Sequence, residues 1–466
     1  MARLLEKGNA LPRGSQGFTI STYNVLLPNS VDGWWIYKYY QKHVPMDQRT
    51  WEHRSELTKK NILGFGGGAD IVCVQETSAE SFDDDFNFLK EAGYNYVLHS
   101  KFRFRVATFF RKEKFILKCE KHGDRSLTTL LEFKDKSDDD IIQEQDRSVF
   151  IVNVHLTGGP SPDKRVRQIH DATELIRKEI NKRNAAMRLA TGGKKDDNNN
   201  NNTTLLHPSV IICGDFNEEG DTAVNKLLCE GLVPAGCSDK YCRVVTTKLK
   251  KQELGLFRDA HDILYSTMNA GLKRPPTLIC PNLVEHFVLE EATEPLDGGA
   301  TQLIPTPKLV KALKKAWEAL THGRNVMKHE EMKEWLVKIN VQLGRGSEYR
   351  NALAVLEEKR RAGEAEVLTF DDYLGLYVRE LHDGKFWGVD HDLRQRLDCP
   401  VDGAGEGQSF HAVYDYIYYN PGLKLEAIRE ELSKDELSLA LEGDDPLPNA
   451  WQPSDHVMQT AAFSFY

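Results

Sequence analysis

A chain of 466 residues exceeds the usual size of a single domain and is long enough to bury a large core, so one large domain with an insertion, or two domains, is expected. A formal net charge of -9 excludes a protein that coats nucleic acid by unspecific attraction, although it leaves room for a local basic groove. The eight cysteines are scattered without a CxxC pair, and Cys73 and Cys213 lie inside apolar runs, which fits a reduced protein rather than a disulfide scaffold. The first residues lack the apolar core of a signal peptide, and no apolar run is long enough to span a bilayer. A soluble, intracellular protein, cytoplasmic or nuclear, is therefore expected.

In chain order, residues 18–25 (FTISTYNV) alternate as a strand that ends at Asn24. Residues 51–64 read as a helix leading into DIVCVQET (70–77), a buried apolar strand that ends in Gln75 and Glu76. A helix over 79–92 and strands near 94–99, 105–111, 127–133 and 148–156 follow. Ser161 and Pro162 open a helix as cap and first-turn proline, with Val166, Ile169, Thr173, Ile176 and Ile180 on one face. Residues 194–204 (KKDDNNNNNTT) are of low complexity and predict a disordered loop. Residues 209–217 (SVIICGDFN) form an apolar strand whose end turns abruptly polar. There Gly214 permits a close backbone approach, and Asp215 and Asn217 share parity on an extended chain. Residues 306–382 are helical by period, with no convincing strand; 413–420 (VYDYIYYN) and the segment after Ser454-Asp455-His456 return to strand chemistry. Strand-rich segments with few intervening helices favour packed sheets over a doubly wound sheet. The simplest architecture is a sheet-rich domain, 15–285 plus 395–466, interrupted by a helical insertion over 300–392.

Polar residues recur at the ends of these apolar strands: Asn24, Glu76, His155, Asp215, Asn217, Asp415, Asp455 and His456. Each alone has a structural explanation as a cap, a turn or a satisfied core histidine. Their repetition at one kind of place points to a shared site. The segments STYNVL, DIVCVQET, VNVHLTGG, ICGDFN, VYDYIYYN and SDH, in this order, resemble the endonuclease/exonuclease/phosphatase superfamily with its DNase I-like fold. Trp51-Glu-His-Arg54, His155-Leu156 and DYIYY (415–419) resemble its deadenylase branch, which includes the carbon-catabolite-repressor deadenylases, nocturnin and Angel proteins. The inositol-polyphosphate phosphatases of this fold usually have Leu where Phe216 stands; the neutral sphingomyelinases are a nearer alternative.

The resemblance implies an α/β (α+β) fold, a four-layer α/β/β/α sandwich carrying a helical insertion. It also implies a metal-dependent phosphodiesterase using Mg²⁺, with Mn²⁺ as a substitute and one or two ions in play. Glu76 and Asn24 would hold the metal. Asp215 would orient or deprotonate the attacking water, Asn217 and His155 would contact phosphate oxygens, and His456 would donate to the scissile phosphate with Asp415 tuning it. Asp455 would serve a second metal or orient His456. Arg165 and Gln168, three apart on one helix face, have a structural or a phosphate-side role. Trp34 and Trp35, in GWWIYKYY, either stack on bases, at about 1–3 kcal/mol per base, or pack their rings on the domain. Arg105, with Arg103 in FRFR, faces either phosphate or solvent. The implied substrate is single-stranded RNA trimmed from its 3′ end, or alternatively a soluble nucleotide or other phosphoester. A non-catalytic binding protein is the rival of another class. Within the insertion, EEMKEWL (330–336) and LTFDDYLGL (368–376) resemble the exiting helices of a paired EF-hand. The oxygen ligands fail in both loops (Leu320, His322, Arg324; Arg361, Gly363, Ala365), so Ca²⁺ binding is not expected there and a structural or protein-docking role is.

Overall fold

The structure is a computed structural model. It describes residues 2–12, 17–31, 36, 40, 43–64, 66–134, 147–159, 161–190, 209–238, 245–268, 273–281, 289–291, 303–340, 347–382, 388–389, 392–393, 409–442 and 445–466. Trp34, Trp35 and the 194–204 segment lie outside the described residues. The first strands in chain order are β1 (Arg3–Leu5), β2 (Gly17–Asn24), β3 (Ile71–Ser78), β4 (Tyr94–Leu98), β5 (Phe104–Arg111) and β6 (Phe115–His122). They are followed by β7 (Ser126–Phe133), β8 (Ser148–His155), β9 (Ser209–Asp215), β10 (Arg258–Asp259), β11 (Asp415–Tyr419), β12 (Leu423–Arg429) and β13 (Gln459–Phe465). One sheet runs β1-β12-β13-β2-β3-β5-β4 and the other β10-β11-β9-β8-β7-β6.

The central strands are apolar on both faces because both faces are covered. On β9, Ile211 and Cys213 point to the core between the sheets, where Phe18, Ile20, Cys73, Ile151, Ile417 and Phe463 meet them. Val210 and Ile212 point the other way, against Val166, Ile169 and Ile176 of helix α2 (Pro162–Ala190). On β3, Ile71 and Cys73 face inward while Val72 and Val74 pack under Ile62 of helix α1 (Trp51–Leu63) and under Phe82, Phe86 and Leu89. The result is four layers, α/β/β/α. Burial of each such side chain stabilises by about 1.5–3 kcal/mol, and the shared inner core holds the two sheets at a fixed distance.

Pairing sets which strand ends coincide. β8 runs parallel to β9 with His155 opposite Asp215, and β11 runs antiparallel with Asp415 opposite the same Asp215. In the other sheet Asn24 of β2 lies opposite Gln75 of β3. One end of the sandwich therefore gathers the polar strand ends.

Some expectations change. The helix over 79–92 is two short helices, Phe82–Asp85 and Asn87–Glu91, and β6 and β12 add strands the sequence reading omitted. Strand Leu278–Pro281 pairs with Ser409–Ala412, and the chain leaves the sheets between them. That excursion contains helices α3 (Pro307–Thr321), α4 (His329–Asn340), α5 (Ser347–Arg361) and α6 (Phe370–His382). They enclose their own apolar cluster, including Trp317, Trp335, Tyr373 and Tyr377. A two-residue ribbon, Val326–Met327 against Leu368–Thr369, joins the two helix–loop–helix units, so 306–382 is not strand-free. The acidic groups at the starts of α4 and α6 are already engaged. Glu331 pairs with Arg324 and accepts the Lys328 amide, while Asp372 pairs with Lys359 and accepts the Thr369 amide and hydroxyl.

Candidate active site

Period-two alternation would aim Gln75 into the sandwich and Glu76 out of it. Gln75 does point inward, where its amide donates to Asn153 Oδ1 (2.8 Å) and Thr22 Oγ1 (2.9 Å). Glu76 is turned back by a β-bulge between Val74 and Thr77 of the β3–β5 ladder, with its own φ at 62°. Bulges re-aim a side chain in this way, and a non-glycine residue with positive φ persists only where its surroundings enforce it. Asn24 Nδ2 then donates to Glu76 Oε1 (3.2 Å) and to Asp215 Oδ2 (3.0 Å), linking the carboxylates of the two sheets. His155 Nε2 lies 3.8 Å from Glu76 Oε1 and 3.7 Å from Asp215 Oδ2. His456 Nε2 lies 3.8 Å from Asp215 Oδ2, and its Nδ1 is 2.8 Å from Asp415 Oδ2.

The loops are fixed as firmly as the strands. Arg54, fully buried on α1, donates to the carbonyls of Val25, Leu26, Leu27 and Pro453 and to Asn29 Oδ1. It thereby ties the turn after Asn24 to the segment before Ser454. Ser454 Oγ donates to the Asn24 carbonyl (2.7 Å) and accepts the His456 amide (3.1 Å). Gly214 has φ 138°, and a Cβ there would meet the Val154 carbonyl oxygen at 2.0 Å. The close approach the sequence suggested is thus to the neighbouring strand.

Burial pushes the Glu76 carboxyl up; the Asn24 hydrogen bond and His456 oppose this, and Asp215 reinforces it. Burial likewise pushes Asp455 up to about 6, against the pull of His456. The two imidazoles diverge. Burial, with Arg125 nearby, lowers His155 to about 4 despite the attraction of Asp215. Burial would lower His456 as well, but Asp415 and Asp215 hold it well above the ordinary histidine value. One neutral and one charged ring beside paired carboxylates is an arrangement suited to acid–base work on an anion.

The residues expected at the site meet different outcomes. Glu76, Asn24, His155, Asp215, Asp415 and His456 come together through the contacts above, and Asp455 lies next to His456 with its carboxyl influenced by Glu76. Asn24 differs from a metal ligand as placed: its amide NH₂ faces the carboxylates, and its Oδ1 accepts the Leu26 amide (3.0 Å). Asn217 leaves strand parity at φ 53°, and its Nδ2 donates to the Leu156 carbonyl (3.0 Å). Arg165 and Gln168 both make contacts within the chain. Arg165 is buried against Glu218 (2.6 Å) and the carbonyls of Thr157 and Gly159, and Gln168 exchanges hydrogen bonds with Thr157. They hold the turn after His155. Arg105 lies opposite Thr77, half-buried, with Nε on the Phe102 carbonyl (3.0 Å). The sequence reading missed Asn153, which accepts from Gln75, the neighbour of Glu76, and donates to the Val74 and Ala107 carbonyls. It missed Arg125 too, whose carbonyl accepts the His155 amide. An inward polar residue mid-strand was the available signal for Asn153; a loop arginine gives none.

Among the described residues no three histidine, cysteine, aspartate or glutamate side chains converge closely enough to enclose an ion by themselves. The donor chemistry nevertheless fits a hard divalent cation that keeps most of its water and takes one or two carboxylate oxygens. Glu76 and Asp215 supply such oxygens close together, and a cation would relieve the burial that raises Glu76.

Two packed sheets thus gather carboxylates and imidazoles at one end of the sandwich. Residues 21–456 match the model of the Endonuclease/Exonuclease/phosphatase family, and the chain belongs to that family. Its relatives include the CCR4-Not complex 3'-5'-exoribonuclease subunit Ccr4 of Candida albicans, 26% identical over 251 residues (47% of this chain, 29% of that protein). The corresponding subunit of Yarrowia lipolytica is 25% identical over 260 residues (47% of this chain, 35% of that protein). The chain thus matches about a third of the length of these curated relatives. Among solved structures it is similar to ANGEL2, a 2',3'-cyclic phosphatase, in complex with adenosine-2',3'-vanadate, with TM-score 0.50 and 13% identity (97% of this chain, 96% of that chain).

Proposed function

We propose that this protein is a Mg²⁺-dependent phosphodiester hydrolase, a 3′–5′ exoribonuclease of deadenylase type acting on single-stranded RNA. The carrying observation is that four separate segments are linked at one place: His155 lies 3.8 Å from Glu76 and 3.7 Å from Asp215, and His456 lies 3.8 Å from the same Asp215. Similarity to Ccr4 subunits supports the substrate class. A bound Mg²⁺, held by Glu76 with Asp215 beside it, would neutralise phosphoryl charge; Mn²⁺ has the same oxygen preference. Asp215, fixed by Asn24 and by the Asn217 amide (2.8 Å), orients the attacking water. His456, its Nδ1 proton held by Asp415, presents Nε2–H to a phosphate oxygen. Neutral His155 and the remaining Asn217 donor contact the other oxygens, and Asp455 serves a second metal or orients His456.

A net charge of -9 favours a second reading, hydrolysis of a phosphate from a small soluble nucleotide, because tracking a polyanion calls for a basic groove. Residues 15–285 and 395–466 would form the catalytic domain, with 300–392 a degenerate EF-hand-like insertion available to a protein partner. An intracellular site, cytoplasmic or nuclear, accords with an RNA or nucleotide substrate; no described helix is long and apolar enough to cross a membrane.

The test compares wild type and Glu76→Gln on oligo(A) and on phosphorylated dinucleotides with Mg²⁺ present. The expected outcome is a loss of kcat of about 10²–10³-fold in the variant at an unchanged melting temperature. Turnover of the dinucleotide alone would replace the exonuclease reading with the small-substrate one. Equal activity of the two proteins would trace hydrolysis to a contaminant and favour the non-catalytic binding role.

A further inference from the structure

The Asp415–His456 pair depends on where two backbone segments sit, and Thr277 touches both. Thr277 is completely buried at the start of strand Leu278–Pro281. Its Oγ1 accepts the amides of Tyr414 and Asp415, each at 2.9 Å. Its own amide donates to the Ala412 carbonyl (2.9 Å), and its carbonyl accepts the Val457 amide (2.7 Å). One residue further, Leu278 bridges His456, and the Ile279 amide donates to the Asp455 carbonyl (2.9 Å). The carboxylate of Asp415 cannot aim itself. Oδ2 meets His456, while Oδ1 is buried without a hydrogen-bond partner among the described residues. Its direction is therefore inherited from the main chain, which Thr277 grips at the amide and Arg274 at the carbonyl (2.7 Å).

We infer that Thr277 is a positioning residue for hydrolysis: its hydroxyl oxygen and carbonyl together set the separation of Asp415 and His456, and hence the direction of His456 Nε2. The inference rests on the catalytic reading of His456 and Asp415. A hydroxyl is required because both lone pairs of Oγ1 are used by amides that a methyl group would leave unsatisfied. Valine has the same shape as threonine and lacks only this acceptor.

The experiment measures kcat and KM on a nucleotide substrate for wild type and Thr277→Val, Thr277→Ser, Thr277→Cys and His456→Ala, alongside melting temperature and the low-field imidazole N–H proton resonance. Thr277→Val is expected to lower kcat roughly 10- to 100-fold with KM nearly unchanged, within the range general acid–base groups contribute. It should also move the resonance that His456→Ala abolishes. Thr277→Ser should stay within about threefold of wild type, and Thr277→Cys, a weak acceptor, should fall between serine and valine. A lowered melting temperature with kcat and resonance unchanged would make Thr277 merely structural and overturn the inference. If Thr277→Val does not fold, the decision passes to serine against cysteine, and equal kcat for those two overturns it. Full activity in His456→Ala would instead sink the catalytic reading of the site, a result distinct from any behaviour of Thr277.

Discussion

Gly214 shows how far one residue controls the site. Its φ of 138° lies where side chains are strained, and its Cα hydrogen occupies the only space left beside the Val154 main chain. Gly214→Ala would push β9 from β8 just before the His155–Asp215 pair. It should destabilise the fold by about 3 kcal/mol or more, the range of overpacking added to backbone strain. Urea unfolding checks this, and a change below about 1 kcal/mol would contradict the geometry. At this scale the sequence was legible in residue type and partly illegible in direction. The polar residues closing apolar strands identify Glu76, Asp215 and His155, because few structural needs place them there. Period-two reasoning nonetheless misassigns Glu76, since the bulge that turns it arises from its pairing with β5, not from any residue beside it. Asn217 departs from the expected parity for a similar local reason, its backbone leaving the strand at positive φ.

Helix α1 acts on the site through one side chain. Its outer face is solvated, and its inner face sends Arg54 under the two turns that carry Asn24 and Ser454. Leu26 and Leu27 adopt positive φ there, and the guanidinium fork satisfies their carbonyls, which no backbone ladder reaches. A lysine cannot reproduce this, having a single nitrogen in place of a planar fork. Arg54→Met should cost about 3 kcal/mol through buried carbonyls left unsatisfied, and Arg54→Lys should recover little of it. Chemical denaturation of the three proteins measures the ranking; full recovery by lysine would show that charge alone matters. Elements with strong patterns were readable: β3, β9 and α2 fall where apolar runs and helical spacing put them. β6 and β12 were not, because Lys118, Glu120, Lys424 and Glu426 alternate along strands with one solvated face, which resemble loops in a single sequence.

The molecule as a whole contains two kinds of core. The inner and outer clusters of the sheets draw on residues up to Ile279 and from Val413 onward, while the helical cluster draws on residues between Leu289 and Leu393. Within that cluster Asp392 accepts hydrogen bonds from Trp335, Tyr373 and Tyr377. The chain leaves and returns at the antiparallel pair in which Pro281 stands opposite Ser409. That register is what a short turn needs, so the excursion is replaceable by a loop of about four residues containing Asn-Gly. A variant with 282–408 replaced in this way should keep the sheets' packing and the Thr277 contacts that hold Asp415. Calorimetry of the intact protein should resolve two heat-absorption transitions, and the variant should lose one while the other stays within a few degrees. Turnover per folded molecule should persist on a small nucleotide, because none of the residues grouped at the site lies between 282 and 408. Loss of both transitions would mean that the helices complete the sheet domain's core instead of hanging from its edge.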